Sequence, residues 1–124
     1  MTRPRLAATV SWASACGFFV VAALHGSAYG RIMVMAEPAP ETIRRVVSVL
    51  WLSGSADLVA LGLVVAAMAH SSGAVGALVI ALAALCPLAV AGRHVVFLGF
   101  LPPTAMLLAL AALTLGAAFL KKSA

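Results

Sequence analysis

Charged side chains are scarce in this sequence. Only 9% of its 124 residues are Asp, Glu, Lys or Arg, and only three are acidic. About a quarter of the residues in a typical soluble domain are charged, so this composition excludes an ordinary soluble protein. Hydrophobic residues make up 65% of the chain, and the mean hydropathy is +1.17. The sequence therefore predicts an integral membrane protein.

The familiar motifs of cofactor and metal sites are also missing. The chain has no glycine-rich phosphate-binding loop, no HExxH zinc motif and no serine nucleophile elbow. Its two cysteines, Cys16 and Cys86, show no metal-binding or redox spacing. Both fall in apolar segments, where thiols usually act as small apolar side chains. We therefore predict neither a metal site nor a bound cofactor.

Four apolar segments are long enough to cross a bilayer, which takes roughly 20 residues in a helix. These segments are residues 6–29, 46–69, 73–92 and 103–120. The stretches 32–45 and 93–102 are too short to span, and we expect them to lie in the membrane interface. The sequence thus predicts an all-α integral membrane protein, a four-transmembrane-helix bundle built as a single membrane domain over residues 1–124.

The formal charge of +5 comes from basic residues at the ends of the predicted spans. Lys and Arg in such positions anchor helices at lipid headgroups, so we expect membrane lipids as partners and no nucleic acid. The termini carry Arg3, Arg5, Lys121 and Lys122, while the first and third loops carry Arg31, Arg44, Arg45 and Arg93. The two sides of the membrane therefore carry equal numbers of Lys and Arg, and the positive-inside rule does not decide the orientation. Arg3 and Arg5 precede the first span, which favours cytoplasmic termini in a bacterial inner membrane.

Small residues recur at four-residue spacing, or multiples of it, in all four spans. Such rows let helix backbones approach closely in lipid, so we expect them to mark contacting faces. They are Ala7, Ser11 and Ala15, then Ala22, Gly26 and Gly30, in the first span; Gly54, Gly62 and Ala66 in the second; Gly73, Ala77 and Ala81 in the third; and two separate pairs, Ala105 with Ala109 and Ala112 with Gly116, in the fourth.

Prolines predict where helices break or begin. Pro87 lies inside the third span and removes the helical partner of the Ala83 carbonyl, which favours a kink. Pro40 interrupts the first loop, and Glu41 is expected to begin the next helix. Pro103 suits the first position of the fourth helix, because its missing N–H would have no partner there.

The polar residues can be placed by depth if Trp12 and Trp51 mark the membrane interface. Counting about 20 residues inward from each puts the first span near 12–31 and the second near 51–70. His25 then lies about 9 Å from the loop-side end of its span, and Asp57 lies about 9 Å inside Trp51. This count predicts that His25 and Asp57 are level and could meet. If the second span instead starts at Val46, Asp57 lies near the middle of the bilayer and several ångströms deeper than His25.

Asp57 is the only acidic residue inside a predicted span, where a carboxylate costs about 2.5 to 3.5 kcal/mol on insertion scales. We expect either a protonated Asp57 or a nearby cation such as His25. The alternatives are structural. Asp57 could be a polar link between helices, His25 could bond a backbone carbonyl, and Tyr29 could be an interface aromatic. Arg93 and His94 could anchor headgroups, and His70 could be a solvated helix end.

Polar residues concentrate in one half of the predicted bundle. Because the first and third loops lie on the same side, most polar residues gather towards them: His25, Tyr29, Arg31, Glu37, Glu41, Arg44, Arg45, Asp57, Arg93 and His94. The other half has only terminal charges and His70. This asymmetry predicts a polar chamber near the first and third loops that an amphipathic ligand could enter from the lipid.

One stretch of the chain, about residues 20–63, resembles a known group of proteins. "LHGSAYG" (residues 24–30), a methionine-bearing loop and "LWLSGSADLVALGL" (residues 50–63) look like the first half of small, uncharacterised bacterial membrane proteins of the broad DoxX-like kind. The resemblance implies a four-span architecture and little about activity.

Three functions fit these observations. The first is a protein that binds a lipid, quinone or pigment, or an accessory subunit that joins a larger membrane complex or its own copies. The second is a cofactor-free acid–base enzyme acting on a lipidic or terpenoid substrate, such as an isomerase, a cyclase or an epoxide-opening enzyme. Asp57 and His25 would then exchange protons, while Tyr29, Arg45 or His94 would orient the substrate. The third is a proton-coupled transporter that uses Asp57.

Overall fold

The structure, a computed structural model, describes residues 2–71 and 73–123. In this part of the chain six helices follow one another: Arg3–Ser27 (α1), Tyr29–Met35 (α2), Glu41–Ala67 (α3), Ala74–Ala83 (α4), Leu85–Leu98 (α5) and Pro102–Lys122 (α6). α1 and α2 together form one spanning segment, as do α4 and α5, so four segments are long and apolar enough to cross a membrane. The protein is an all-α, multi-pass membrane protein, as predicted.

The two interrupted spans break for different reasons. The third span breaks at Ala84, one turn before Pro87, so the predicted kink is confirmed. The first span breaks at Ala28. The N–H of Ala28 donates a hydrogen bond to the carbonyl of His25, three residues earlier, instead of to the carbonyl four residues earlier as in a regular α-helix. Small residues surround this point, and Gly and Ser are common at helix kinks.

The connections on the first-loop and third-loop side are shorter than the sequence suggested. The predicted interfacial segment 93–102 is mostly helix, because α5 continues to Leu98 and ends where Gly99 adopts a positive φ of 78°. Gly tolerates this conformation, which side chains disfavour. α6 begins at Pro102, one residue earlier than predicted, and α3 begins at Glu41, as expected. Few residues therefore lie outside helices at this end of the bundle.

The spans pack in the order α3, α1, α6, and then the α4–α5 pair. α1 packs against both α3 and α6, while α6 packs against both α4 and α5. α3 meets α4, the half of the third span next to the second loop. The shared core contains Phe18, Leu58, Val65, Ala83 and Leu110, all under 8% exposed. The bundle is therefore closed around this core at the end that carries the two termini.

Small residues bring α1 close to both of its neighbours. A Cβ on Gly62 of α3 would lie 2.8 Å from a ring carbon of Phe19 and 3.1 Å from the Cβ of Phe18. On the other side of α1, a Cβ on Gly17 would lie 2.8 Å from a methyl carbon of Leu110. The predicted close-packing role is confirmed for Gly62 and for Ala7, Ser11, Ala15 and Ala22, which are all buried.

The small-residue row predicted for the fourth span was wrong. Ala105, Ala109 and Ala112 lie on the exposed face of α6. Its packed face carries two hydroxyls, Thr104 and Thr114, which are both fully buried. Thr114 lies 2.6 Å from the hydroxyl of Ser14 on α1, a buried hydrogen bond between the two helices. α6 is thus joined to α1 by a polar contact as well as by apolar packing.

Candidate functional site

The second and third spans are not in close backbone contact on the side of the first and third loops. Among the described residues, no Cα atom of α5 lies within 8 Å of a Cα atom of α3 or of α1. α3 touches the third span only through α4, so the two spans diverge beyond Ala84. α1 and α6 lie between them. We call this space the lateral opening, and its two sides are residues 41–57 of α3 and the whole of α5.

Asp57 lies on the side of α3 that faces the lateral opening. Leu61 and Met68 follow it on the same side of the helix, about one and three turns further along. Both pack against the core, and Met68 packs against the cluster that contains Ile80 of α4. The carboxyl group of Asp57 is exposed. It is also close enough to the Cys86 thiol of α5 for the two to interact electrostatically.

α5 supplies a thiol and a guanidinium to the same region. Cys86 is half-buried, and Arg93, seven residues later, lies on the same side of the helix. Arg93 also acts electrostatically on Cys86, and no ion pair joins it to Asp57 in the part of the chain that the structure describes. The carboxylate of Asp57 and the guanidinium of Arg93 thus lie on opposite sides of the lateral opening and do not form an ion pair across it among the described residues.

His25 lies at the junction of α1 and α3. Its ring stacks on Trp51, with ring centroids 4.0 Å apart and planes inclined by 9°. The indole Nε1 of Trp51 donates a hydrogen bond of 2.7 Å to the carbonyl of His25. A Cβ on Gly54 would come within 3.3 Å of the Nε2 atom of His25, so only glycine leaves this much room beside the ring. The imidazole is therefore held at a fixed position.

The Nε2 atom of His25 is buried and has no hydrogen-bond partner among the described residues. Leaving a buried polar atom unpaired costs about 1 to 3 kcal/mol, so such atoms mark strained or functional positions. His94 of α5 lies near enough to interact electrostatically with His25. The Nδ1 atom of His94 is 3.4 Å from the hydroxyl of Thr104 on α6. The two imidazoles approach the same space from α1 and α5.

Of the five predicted site residues, His25 and His94 are close enough to interact electrostatically, whereas Asp57 is close to Cys86 instead. His25, Asp57 and His94 border the lateral opening. The hydroxyl of Tyr29 instead bonds that of Ser48 at 2.7 Å and joins α2 to α3. Arg45 forms an exposed ion pair with Glu41, one turn before it on the outer surface of α3. Neither Tyr29 nor Arg45 is positioned beside Asp57.

The predicted level of His25 differs from the observed one. The imidazole lies opposite Trp51 and Gly54, so Asp57 lies about one turn deeper in the membrane. No hydrogen bond or ion pair joins His25 to Asp57 in the described part of the chain. The two side chains therefore border one space at different depths, and they do not form a bonded pair.

Sequence reasoning missed three features of this site. Trp51 served only as a depth marker, although its spacing from Gly54 places both residues on one face of α3. Cys86 was read as a small apolar side chain, but Arg93 seven residues later indicates that this side of α5 is polar. The buried hydroxyl of Thr104 could not be assigned to His94, because no pattern in a single sequence pairs residues on different helices.

Comparison with known proteins identifies no relative of this chain. No protein-family model matches the chain, and neither a curated protein nor a solved structure is significantly similar to it. The resemblance of residues 20–63 to DoxX-like proteins stays a prediction.

Proposed function

We propose that this protein binds an apolar or amphipathic small molecule, such as a lipid, a quinone or a pigment, in the lateral opening. The separation of α5 from α3 carries this proposal, because it leaves the apolar sides of two spans without close backbone contact, which suits a ligand that enters from the lipid. Ligand sites in membrane and soluble proteins share this design of apolar walls with few polar groups. Exposed apolar side chains on the two sides of the opening, among them Leu50 of α3 and Phe97 of α5, suit contact with such a ligand.

Polar groups of the opening would hold the polar end of the ligand. The exposed carboxylate of Asp57 accepts hydrogen bonds, so it suits a ligand hydroxyl or amine. The Nε2 atom of His25 has no partner within the protein and could bond a ligand that reaches it. A charged residue within a span is costly, and function is the usual reason that it is kept.

We expect the purified protein to retain its ligand, and Asp57→Asn to weaken that retention about tenfold. A hydrogen bond to a charged group is worth about 1.5 to 3 kcal/mol, which corresponds to tenfold or more in affinity. Native mass spectrometry of protein extracted in mild detergent measures the bound fraction. Glu41→Gln is the matched control, because Glu41 is exposed on the outer surface of α3. Equal retention by the two variants would contradict the role of Asp57.

An acid–base enzyme is the second candidate function. The observation that favours it is that two imidazoles and a carboxylate border one apolar space. Such groups can give and take protons if a substrate lies between them. The same variant separates the two functions, because an enzyme blocked by Asp57→Asn would accumulate bound substrate, whereas a binding protein would lose its ligand.

We also propose that the protein resides in a bacterial inner membrane with both termini in the cytoplasm. Arg3 and Arg5 at the start of α1 support this orientation, since basic residues before the first span resist translocation.

A further inference from the structure

A cavity of about 570 Å³ lies at the opposite end of the bundle from the lateral opening. Its wall is formed by the first turns of α1, the end of the second span and the end of α6. The polar lining residues are Arg5, Thr9, His70, Ser71 and Lys121, and the remaining wall includes Trp12. The proposed ligand site uses none of these residues.

Lys121 is the most unusual of these residues, because its side chain is only 4% exposed. Its Nζ atom donates hydrogen bonds to the carbonyls of Ala69 and Ser71, at 2.9 and 2.6 Å. These carbonyls follow the end of α3, where a cation is favourable. No carboxylate pairs with Lys121 among the described residues. Within the part of the chain that the structure describes, the ammonium group is thus buried with dipoles as partners and without a counter-charge, although buried charges are normally paired.

The other polar groups add positive charge and hydrogen-bond donors. Arg5 lies on the cavity wall, and its side chain makes no hydrogen bond or ion pair within the described part of the chain. His70 accepts a hydrogen bond of 3.2 Å from the indole of Trp12 at its Nε2 atom. Its Nδ1 atom must then carry a proton, so it is a further donor.

All three acidic side chains of the protein lie in the other half of the bundle. Glu37 and Glu41 flank the first loop, and Asp57 borders the lateral opening. Among the described residues, the cavity lining therefore has two cationic side chains and no acidic one. A phosphate group fits this chemistry, because it accepts several hydrogen bonds and carries the missing negative charge.

We propose that this cavity binds the phosphate of an anionic phospholipid. Its place at the ends of three spans puts it at the level of lipid headgroups. Trp12, which is 44% exposed, forms a wall towards the lipid and belongs to a residue type enriched at this level. Basic cavities between spanning helices are known to recognise such headgroups. The bound phosphate would complete the contacts of Lys121 and join α1, α3 and α6.

The test compares retention of phosphatidylglycerol and phosphatidylcholine by the full-length protein in neutral detergent, measured by native mass spectrometry. We expect preferential retention of phosphatidylglycerol, and about fivefold weaker retention by Arg5→Gln, the loss expected from removing one cation near a headgroup. Lys122→Gln is the matched control, because Lys122 is adjacent to Lys121 but exposed. Lys121→Gln serves as a second variant, and Arg5→Gln decides the outcome if that variant does not fold.

Three results would overturn this proposal. The two lipids could be retained equally, which would mean that the headgroup charge is not recognised. Arg5→Gln could retain as much phosphatidylglycerol as Lys122→Gln does, which would mean that Arg5 contributes only a general attraction between a basic surface and an anionic lipid. Inorganic phosphate at millimolar concentration could displace phosphatidylglycerol completely, which would assign the cavity to a soluble anion. The lateral opening is at the other end of the bundle, so a negative result for one of the two sites does not contradict the proposal for the other.

Discussion

Gly62→Leu is expected to destabilise the bundle more than any single substitution on its outer surface. Even a Cβ at this position would lie 2.8 Å from a Phe19 ring carbon and 3.1 Å from the Cβ of Phe18. The Phe19 ring could rotate away, but the Cβ of Phe18 is fixed to the backbone and its side chain is fully buried. α1 and α3 would have to move apart, and overpacking of this kind costs about 1 to 3 kcal/mol.

Gly116→Leu is the matched control for this prediction. Gly116 also lies inside a spanning helix, but a Cβ added there would meet nothing within 4 Å. Unfolding of both variants in mixed micelles, followed by circular dichroism, should show a clearly lower midpoint for Gly62→Leu alone. Similar midpoints would show that α1 and α3 do not approach as closely as the structure indicates.

Cys86→Trp is expected to block ligand binding while the bundle stays folded. Cys86 is half-buried on α5, across the lateral opening from Asp57, so an indole at this position would project into the proposed site. Among the described helices, α5 packs on α6 and α4, and therefore a larger side chain towards α3 does not meet a closely packed backbone. We expect at least a tenfold loss of retained ligand, since the bulk displaces it directly.

The chain provides a control for this variant in its other cysteine. Cys16 is exposed on α1 and lies outside the lateral opening, so Cys16→Trp should retain the ligand at the wild-type level. Gel filtration and circular dichroism verify that both variants fold. If Cys86→Trp retained the ligand as well as Cys16→Trp does, the ligand would have to bind elsewhere.

The architecture could be predicted because lipid imposes a simple rule. Every backbone polar group in the hydrocarbon must be bonded within the segment, so an apolar run of sufficient length must be helical. The four spans follow from this rule, and Pro87 marks the break in the third. The end of that span was missed because Arg93 and His94 resemble a helix boundary, although α5 continues past them to Leu98.

The contacting faces could be predicted only in part. Gly62 was informative because replacing its hydrogen with any side chain would create a clash, which makes glycine necessary there. Alanine carries less information, since it fits both a packed face and a lipid-facing one, and the row beginning at Ala105 is exposed for this reason. In an alanine-rich helix, spacing alone does not identify the face that meets a neighbour.

The side chains of the proposed site could be singled out from the sequence, but their contacts could not. Asp57 could be singled out by the cost of a carboxylate in a span, and His25 by its depth. The stacking of His25 on Trp51 depends on the exact rotation of α1 against α3. A count of residues from a helix end fixes depth only to about one turn, and this error separates the predicted level of His25 from the observed one.

The most direct test of the account is an experimental structure of the protein extracted from its native membrane in mild detergent. We expect α5 to be separated from α3, with elongated density between them that ends near Asp57 or His25. Direct packing of α5 against α3 along the loop-1 half of the second span, with no density between them, would contradict the proposed ligand site.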